Sequence, residues 1–307
     1  MKIAIIGAGA IGSLMAGILS RGGLEVSLIG RDPVILETVM RQGLRLTGVR
    51  GSYQTKPTIF RHGRQAGSAD LVVLCVKAYD TAAAMEEHRA LVGADTLVLS
   101  LQNGIGNVET LAELVGRERV LAGMTTMGAN VTKPGVIHHA GEGETAIGEL
   151  TGARSERTSR LAETLTRAGW PARAVADVRT LVWGKLCINV AINAVTAILG
   201  VNTGQLVELK IVQSLVRDAV AETIAVAAKQ GMVFDLDERL TQVWQVIDKT
   251  RDNRTSMLVD IQRGRRTEIE AINGAVSRLG NQLGVPTPVN DTLTRLVQAK
   301  EKARAIG

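Results

Sequence analysis

The chain has 307 residues, a formal net charge of +6, and 45% hydrophobic but only 2% aromatic residues. At roughly 150 residues per domain this length suggests two domains, each with a sizeable core built from Gly, Ala, Val, Ile and Leu rather than rings. A modest positive excess favours small anionic ligands, and the one compact basic run, Arg263-Gly264-Arg265-Arg266, lacks the interleaved aromatics of a nucleic-acid surface.

The first half alternates between strand and helix patterns. Lys2–Ile6 (KIAII) reads as a buried strand, residues 10–19 as a helix, and Glu25–Ile29 (EVSLI) as a second strand. Residues 71–76 (LVVLCV) and 97–101 (LVLSL) are short, apolar and rich in β-branched side chains, as buried parallel strands are. The stretch GVIHHAGEGETAIGEL (135–150) has two strand-like segments around a turn and predicts a hairpin. From about residue 177 the period changes. Helices are predicted over 178–199, 204–231, 238–250, 255–264, 267–284 and 290–305, with Pro286 and Pro288 punctuating the last connection. The expected architecture is an α/β Rossmann-type doubly wound domain (1–176) followed by an all-α C-terminal domain (177–307).

Cys75 and Cys187 both lie inside apolar runs, with no C-x-x-C and no Cys/His ligand spacing. Neither a disulfide framework nor a metal site is expected, and reduced thiols suit a cytoplasmic protein. The N-terminal apolar stretch is broken by glycines and has no basic leader, unlike a signal peptide. No run of about 18 uninterrupted apolar residues is present to span a bilayer, so a soluble protein is expected.

Gly7-Ala8-Gly9-Ala10-Ile11-Gly12 is a G-x-G-x-x-G pattern that follows an apolar strand and opens a helix. Gly7 permits the tight turn, Gly9 lets backbone approach a pyrophosphate, and Gly12 lets helix and strand pack closely. The helix N-terminus offers amides and positive potential to phosphates. The second strand ends in Leu28-Ile29-Gly30-Arg31-Asp32. Gly30 leaves room and Arg31 offers a planar cation to a 2′-phosphate, which favours NADPH/NADP over NAD. Asp32 complicates this, because a slip of one residue would make it the acid that binds the ribose 2′-hydroxyl. Lys77 and Asn103 follow the ends of two predicted strands, where ligands of doubly wound sheets bind. A solvated charge and a turn former are their plain alternatives.

Within VWGKLCINVAINAVTAILG (182–200), Lys185, Asn189 and Asn193 recur every four residues. Four residues of α-helix advance about 400°, so each side chain drifts only about 40° from the last. The three therefore line one stripe, an ammonium beside two amides, suited to a ligand bearing carboxylate and hydroxyl or carbonyl oxygens. A stripe facing solvent is the bland alternative, although asparagine is a poor helix former. Hydride transfer to a ketone leaves an alkoxide that needs a proton. None of the histidines, His62, His88, His138 and His139, lies in this stripe. Lys185 is the candidate acid.

Taken together, GAGAIG, VKAYDT, LQNGIGN, KLCINVAINAVTAILG and DNRTSMLVDIQRGRRTEIEAINGAV resemble the ketopantoate reductase (2-dehydropantoate 2-reductase) family over nearly the whole chain. That resemblance implies a Rossmann domain and a helical domain, a 2-oxo acid substrate in the cleft between them, NADPH, and a place in pantothenate (vitamin B5) biosynthesis. It also implies a homodimer. By motif, Lys185 is the implied proton donor, with Asn189 and Asn193 on the substrate and Asn103 supporting cofactor, substrate and lysine. Asn253 and Ser256 complete the implied pocket. Glu268 holds the substrate hydroxyl and orders the lysine, and Arg31 and Lys77 match the positions favouring NADPH. Thr267-x-x-Glu270 also reads as a capping box, which would make Glu268 an ordinary first-turn acid. Asn253 and Ser256 could likewise cap a helix. Two other functions stay open: a paralogous NADPH reductase of another 2-oxo acid, and a non-catalytic NADP(H)-binding sensor, against which the aligned proton donor argues.

Overall fold

The computed structural model describes residues 1–303. Its strands are β1 (Lys2–Ile6), β2 (Glu25–Ile29), β3 (Leu44–Gly48), β4 (Tyr53–Thr55), β5 (Thr58–Phe60), β6 (Ala69–Leu74), β7 (Val92–Ser100), β8 (Val120–Thr125), β9 (Gly128–Lys133), β10 (Val136–Gly141), β11 (Thr145–Glu149) and β12 (Ala172–Ala174). The helices of the first half are α1 (Ala10–Arg21), α2 (Pro33–Gln42), α3 (Thr81–Glu87), α4 (Asn107–Val115) and α5 (Glu156–Arg167). Then follow α6 (Val178–Leu199), α7 (Gln205–Glu208), α8 (Lys210–Lys229), α9 (Leu236–Lys249), α10 (Ser256–Gln262), α11 (Asn273–Leu283) and α12 (Pro288–Ala303). Two compact units result. One comprises Met1–Gln102 and Asn107–Leu181; the other comprises Asn103–Gly106 and the chain from Val182 onward.

The first unit is a Rossmann-type α/β fold. Its eight-stranded sheet has the order β12-β11-β8-β7-β6-β1-β2-β5. Strands β5, β2, β1, β6, β7 and β8 run parallel, and β11 opposes β8. The chain leaves β1 toward β2 but returns to β1's other side with β6. This reversal puts a crevice at the carboxyl ends of β1 and β6. Both faces of these strands are covered, so they read as unbroken apolar runs rather than alternating ones. Ile3, Ile5, Leu71, Val73 and Leu99 face one cluster, while Ala4, Ile6, Val72, Leu74 and Val98 face the other.

A second, four-stranded sheet of order β4-β3-β10-β9 was not expected. It packs on α1, where a Cβ at Gly17 would lie 2.4 Å from Leu46 Cδ1. The predicted hairpin over 135–150 is corrected here. Its two strands exist, but β10 pairs with β3 and β9 in the small sheet, whereas β11 pairs with β8 and β12 in the large one. The reason lies in the Glu142-Gly143-Glu144 turn. Glu142 is held by Arg50 of the β3–β4 connection at 2.6 Å, and Glu144 by Arg173 of β12 at 2.6 Å. Gly143 passes so close to Thr126 that a Cβ would sit 2.4 Å from its carbonyl carbon. A turn tied at each end to a different sheet cannot close a hairpin.

The second unit is helical. Its core gathers Leu186, Val190, Ala194 and Val195 of α6 with Val216, Val220, Val243, Val276 and Val297 of neighbouring helices. By length and composition α6 could cross a membrane, yet 67% of its apolar window is buried inside the protein. Such burial is that of a core helix. Two predicted helices are interrupted. The span 204–231 breaks at Leu209 (φ −96°, ψ 83°) into α7 and α8. The span 267–284 becomes a 3₁₀ turn, Ile269–Ala271, and then α11, with Ile272 (φ −105°, ψ −99°) between them. The predicted C-terminal helix coincides with α12 as far as Ala303; residues 304–305 of that prediction lie outside the described residues.

Candidate active site

The dinucleotide cradle is built where β1 meets α1. Gly7 takes φ +116°, and a Cβ there would lie 2.7 Å from Cys75 C, so the loops after β1 and β6 touch backbone to backbone. Gly12 is buried; its Cβ would fall 2.0 Å from Gly7 O. Gly9 is the opposite case, exposed and, among the described residues, with no atom within 4 Å of the place a methyl group would take. Gly9 is also the N-cap of α1 and makes no side-chain cap bond. The first intrahelical bond runs from Ser13 N to Gly9 O at 3.0 Å. The amides of Ala10, Ile11 and Gly12 thus stand at a helix N-terminus without an intrahelical acceptor, and Ala8 and Ile11 flank them half-buried. Room above Gly9 together with these donors fits a pyrophosphate.

At the end of β2, Arg31 is 80% exposed and its Nη2 donates to Asp80 Oδ2 at 2.9 Å. Asp32 is the N-cap of α2: its Oδ1 accepts from Val34 N (2.9 Å) and Ile35 N (3.3 Å). That cap engages one oxygen of the exposed carboxylate which the sequence left as a competing ribose acid. Lys77 is half-buried and precedes the 3₁₀ turn Ala78–Asp80, its carbonyl accepting from Asp80 N at 2.8 Å. Gln102, which sequence reasoning passed over, ties the ends of β6 and β7 together through Nε2 to Val76 O (3.1 Å) and Thr81 Oγ1 (2.7 Å). Asp80, inside the VKAYDT stretch but given no role there, lies one turn after Lys77.

Asn103 follows the end of β7, as its sequence position suggests. The short piece Asn103–Gly106 belongs to the helical unit. Ile105 N donates to Ala271 O at 3.0 Å, and Gly104 (φ +80°) lets the chain pass where a Cβ would be 2.2 Å from that same oxygen. Asn103 is thereby anchored to the turn that Glu268 begins.

Lys185, Asn189 and Asn193 all lie on α6, the first two half-buried and Asn193 only 7% exposed. The solvent-facing alternative for this row does not hold. Burial lowers the Lys185 ammonium to about 8, and the Glu268 carboxylate partly opposes that fall. Glu268 is itself only 7% exposed. The capping-box alternative also fails. Thr267 N donates to Glu301 Oε1 (2.7 Å), Thr267 Oγ1 accepts from Ile269 N (3.2 Å), and Glu270 turns to Arg278 (2.7 Å). Glu301, far along the chain, takes the donor that the box would have satisfied.

Asn253 and Ser256 are exposed, and the N-cap of α10 is Thr255, whose Oγ1 accepts from Leu258 N (3.2 Å). Thr255 Oγ1 also lies 2.8 Å from Thr196 Oγ1, pinning this segment to α6 one turn beyond Asn193. Asn253 O accepts from Thr203 N and Oγ1, both at 3.0 Å. Deeper, Asn273 Nδ2 donates to Val190 O (3.2 Å) and Asn290 Oδ1 (3.0 Å), and Asn290 Nδ2 to Glu222 Oε2 (2.8 Å). This buried network holds α11, α12 and α8 around the helix bearing the row. Both cysteines are free, and burial pushes each thiol up to about 12, so neither is a nucleophile at neutral pH.

Residues 3–152 match the family model for ketopantoate reductase PanE/ApbA, and residues 177–301 match the model for its C-terminal domain. The 2-dehydropantoate 2-reductase of Halobacterium salinarum is 38% identical, over 98% of this chain and 99% of that protein. A PanE/ApbA family ketopantoate reductase structure from Ralstonia eutropha superposes with a TM-score of 0.92 at 34% identity, covering 99% of this chain and 100% of that one. A D-mandelate dehydrogenase with NADH and anilino(oxo)acetate superposes with a TM-score of 0.94 at 31% identity, covering 99% of each chain. With its nicotinamide-dinucleotide cradle and helical second unit, the chain belongs to the ketopantoate reductase family.

Proposed function

We propose that this oxidoreductase reduces 2-dehydropantoate to pantoate with NADPH, in pantothenate biosynthesis, with Lys185 as the proton donor. The observation that carries this reading is a lysine lowered to about 8, set in line with Asn189 and Asn193 on a buried helix and within electrostatic reach of Glu268. When bound, the cofactor supplies hydride to the C2 ketone. Lys185 protonates the oxygen that becomes alkoxide, and a lysine near 8 is better matched to that transfer at neutral pH than an ordinary one. Asn189 and Asn193 offer amide donors and acceptors to the carboxylate and hydroxyl. Glu268 accepts from the substrate hydroxyl and keeps the ammonium charged, while Asn103, Asn253 and Ser256 close the polar pocket.

NADPH rather than NADH is favoured by the Gly30-Arg31 pair and by the engagement of Asp32 as a helix cap. In this role Gly7 through Gly12 hold the pyrophosphate, and Arg31 and Lys77 meet the 2′-phosphate. A cytoplasmic setting belongs to the same reading. A homodimer is supported by an apolar groove of about 450 Å³ whose lining includes Val195, Ile198, Leu215 and Leu293 together with Ile211, 82% exposed, and Leu296, 48% exposed. Exposed apolar side chains lining such a groove would be covered if the same patch met its copy across a two-fold axis.

The test is a spectrophotometric assay of NADPH consumption with 2-dehydropantoate and a panel of other 2-oxo acids. Turnover of 2-dehydropantoate with the highest kcat/KM is expected. The likeness to a mandelate dehydrogenase favours a second reading, reduction of another 2-oxo acid. A higher kcat/KM for such an acid selects it, and cofactor binding without any turnover defeats both.

A further inference from the structure

The guanidinium that the NADPH reading assigns to the 2′-phosphate already has a carboxylate on it. Arg31 Nη2 lies 2.9 Å from Asp80 Oδ2. The pair joins the segment after β2 to the turn after β6, and these two strands flank β1 in the sheet. It therefore spans the carboxyl ends of the strands around the dinucleotide cradle. Asp80 is held in place from its own side, because its amide closes the 3₁₀ turn on Lys77 O (2.8 Å) and its side chain is only 24% exposed. Asp32, the other acid near Arg31 in sequence, accepts from two α2 amides.

We propose that Asp80 is a specificity-determining residue that tempers the preference for NADPH over NADH by competing with the 2′-phosphate for Arg31. This rests on the reading of Arg31 as the 2′-phosphate ligand. A guanidinium has five donors, enough to hold a carboxylate and a phosphate together. Sharing nevertheless brings a dianionic phosphate beside a carboxylate, and like charges at that distance repel. NADH carries a neutral 2′-hydroxyl there and leaves the pair undisturbed. The carboxylate thus penalises one cofactor and not the other.

The test is fluorescence titration of the full-length protein with NADPH and with NADH, for the wild type, Asp80→Asn, Arg31→Gln and the double variant. Asp80→Asn keeps the size and a hydrogen-bond acceptor for Arg31 while removing the charge. It is expected to lower the NADPH Kd about three- to fivefold, the scale of an exposed ion pair, to leave the NADH Kd unchanged, and to have no such effect once Arg31 is Gln. An unchanged or raised NADPH Kd in Asp80→Asn, an equal gain for NADH, or a gain that persists with Gln at position 31 overturns the proposal. The Arg31→Gln variant separates the two ideas. If it costs NADPH nothing relative to NADH, the cofactor reading itself has failed; if it weakens NADPH while Asp80→Asn changes nothing, only the role of Asp80 has.

Discussion

An ammonium withdrawn from water gives up hydration that a neutral amine does not need, which is why Lys185 falls from the ordinary lysine value of 10.5 to about 8. As the proposed acid in ketone reduction it must start protonated. Reductive kcat/KM is therefore expected to be level below about pH 8 and to decline above it, read from a pH–rate profile. Lys185→Ala should lower kcat by about 10²–10⁴-fold, the usual contribution of a positioned acid, with NADPH binding retained. Unchanged turnover would remove Lys185 from the mechanism. The same group works against stability. Its folded value lies below its unfolded one, so between about 8 and 10.5 the unfolded chain binds more protons and stability rises with pH. Lys185→Met should accordingly unfold at higher denaturant than wild type at neutral pH. Glu268 raises the lysine, so Glu268→Gln should move the alkaline limb to lower pH and raise the KM for substrate. A limb that stays in place would show that the two charges are not coupled.

At the scale of elements, α1 offers a comparison between two glycines of one motif. A methyl at Gly12 would collide with Gly7 O at 2.0 Å, whereas a methyl at Gly9 meets no atom of the described residues within 4 Å. Gly12→Ala is expected to cost about 1–3 kcal/mol of stability through displaced backbone. Gly9→Ala should stay within about 0.5 kcal/mol of wild type, as surface changes do, yet weaken dinucleotide binding. Thermal unfolding and cofactor titration on the same samples read both effects. Equal cofactor affinity in Gly9→Ala would mean that the space is not reserved for a ligand. Strands β1 and β2 and helix α6 have the limits their residue patterns indicate, because each is a contiguous, largely apolar run, the strands buried on both faces and the helix in the core of the second unit. The small sheet was not legible. Its β3–β10 pairing sets Arg45 beside Val136, far apart along the chain, and the local alternation in 135–150 suits a hairpin equally well. The break at Ile272 escaped for a similar reason, since the apolar spacing of 267–284 continues through it.

For the whole molecule, the exposed groove between α6, α8 and α12 sets the expected assembly. Light scattering of the purified protein should give a dimer if this surface is the interface, and Ile211→Glu, charging the most exposed side chain lining that groove, should then give an active monomer. A wild-type monomer at working concentrations would discard this surface as an interface. Residue order alone carried the local chemistry: the glycine turn before α1, the four-residue step of Lys185, Asn189 and Asn193, and the change from strand to helix period. Each follows from spacing along one element, where geometry is set by the backbone. Folding in three dimensions was needed to show that Lys185 loses hydration within reach of the Glu268 charge, that Asn103 packs with the helical unit, and that Arg31 already holds Asp80. Burial, charge pairing and non-local hydrogen bonds depend on residues brought together from distant parts of the chain, and no spacing rule encodes them.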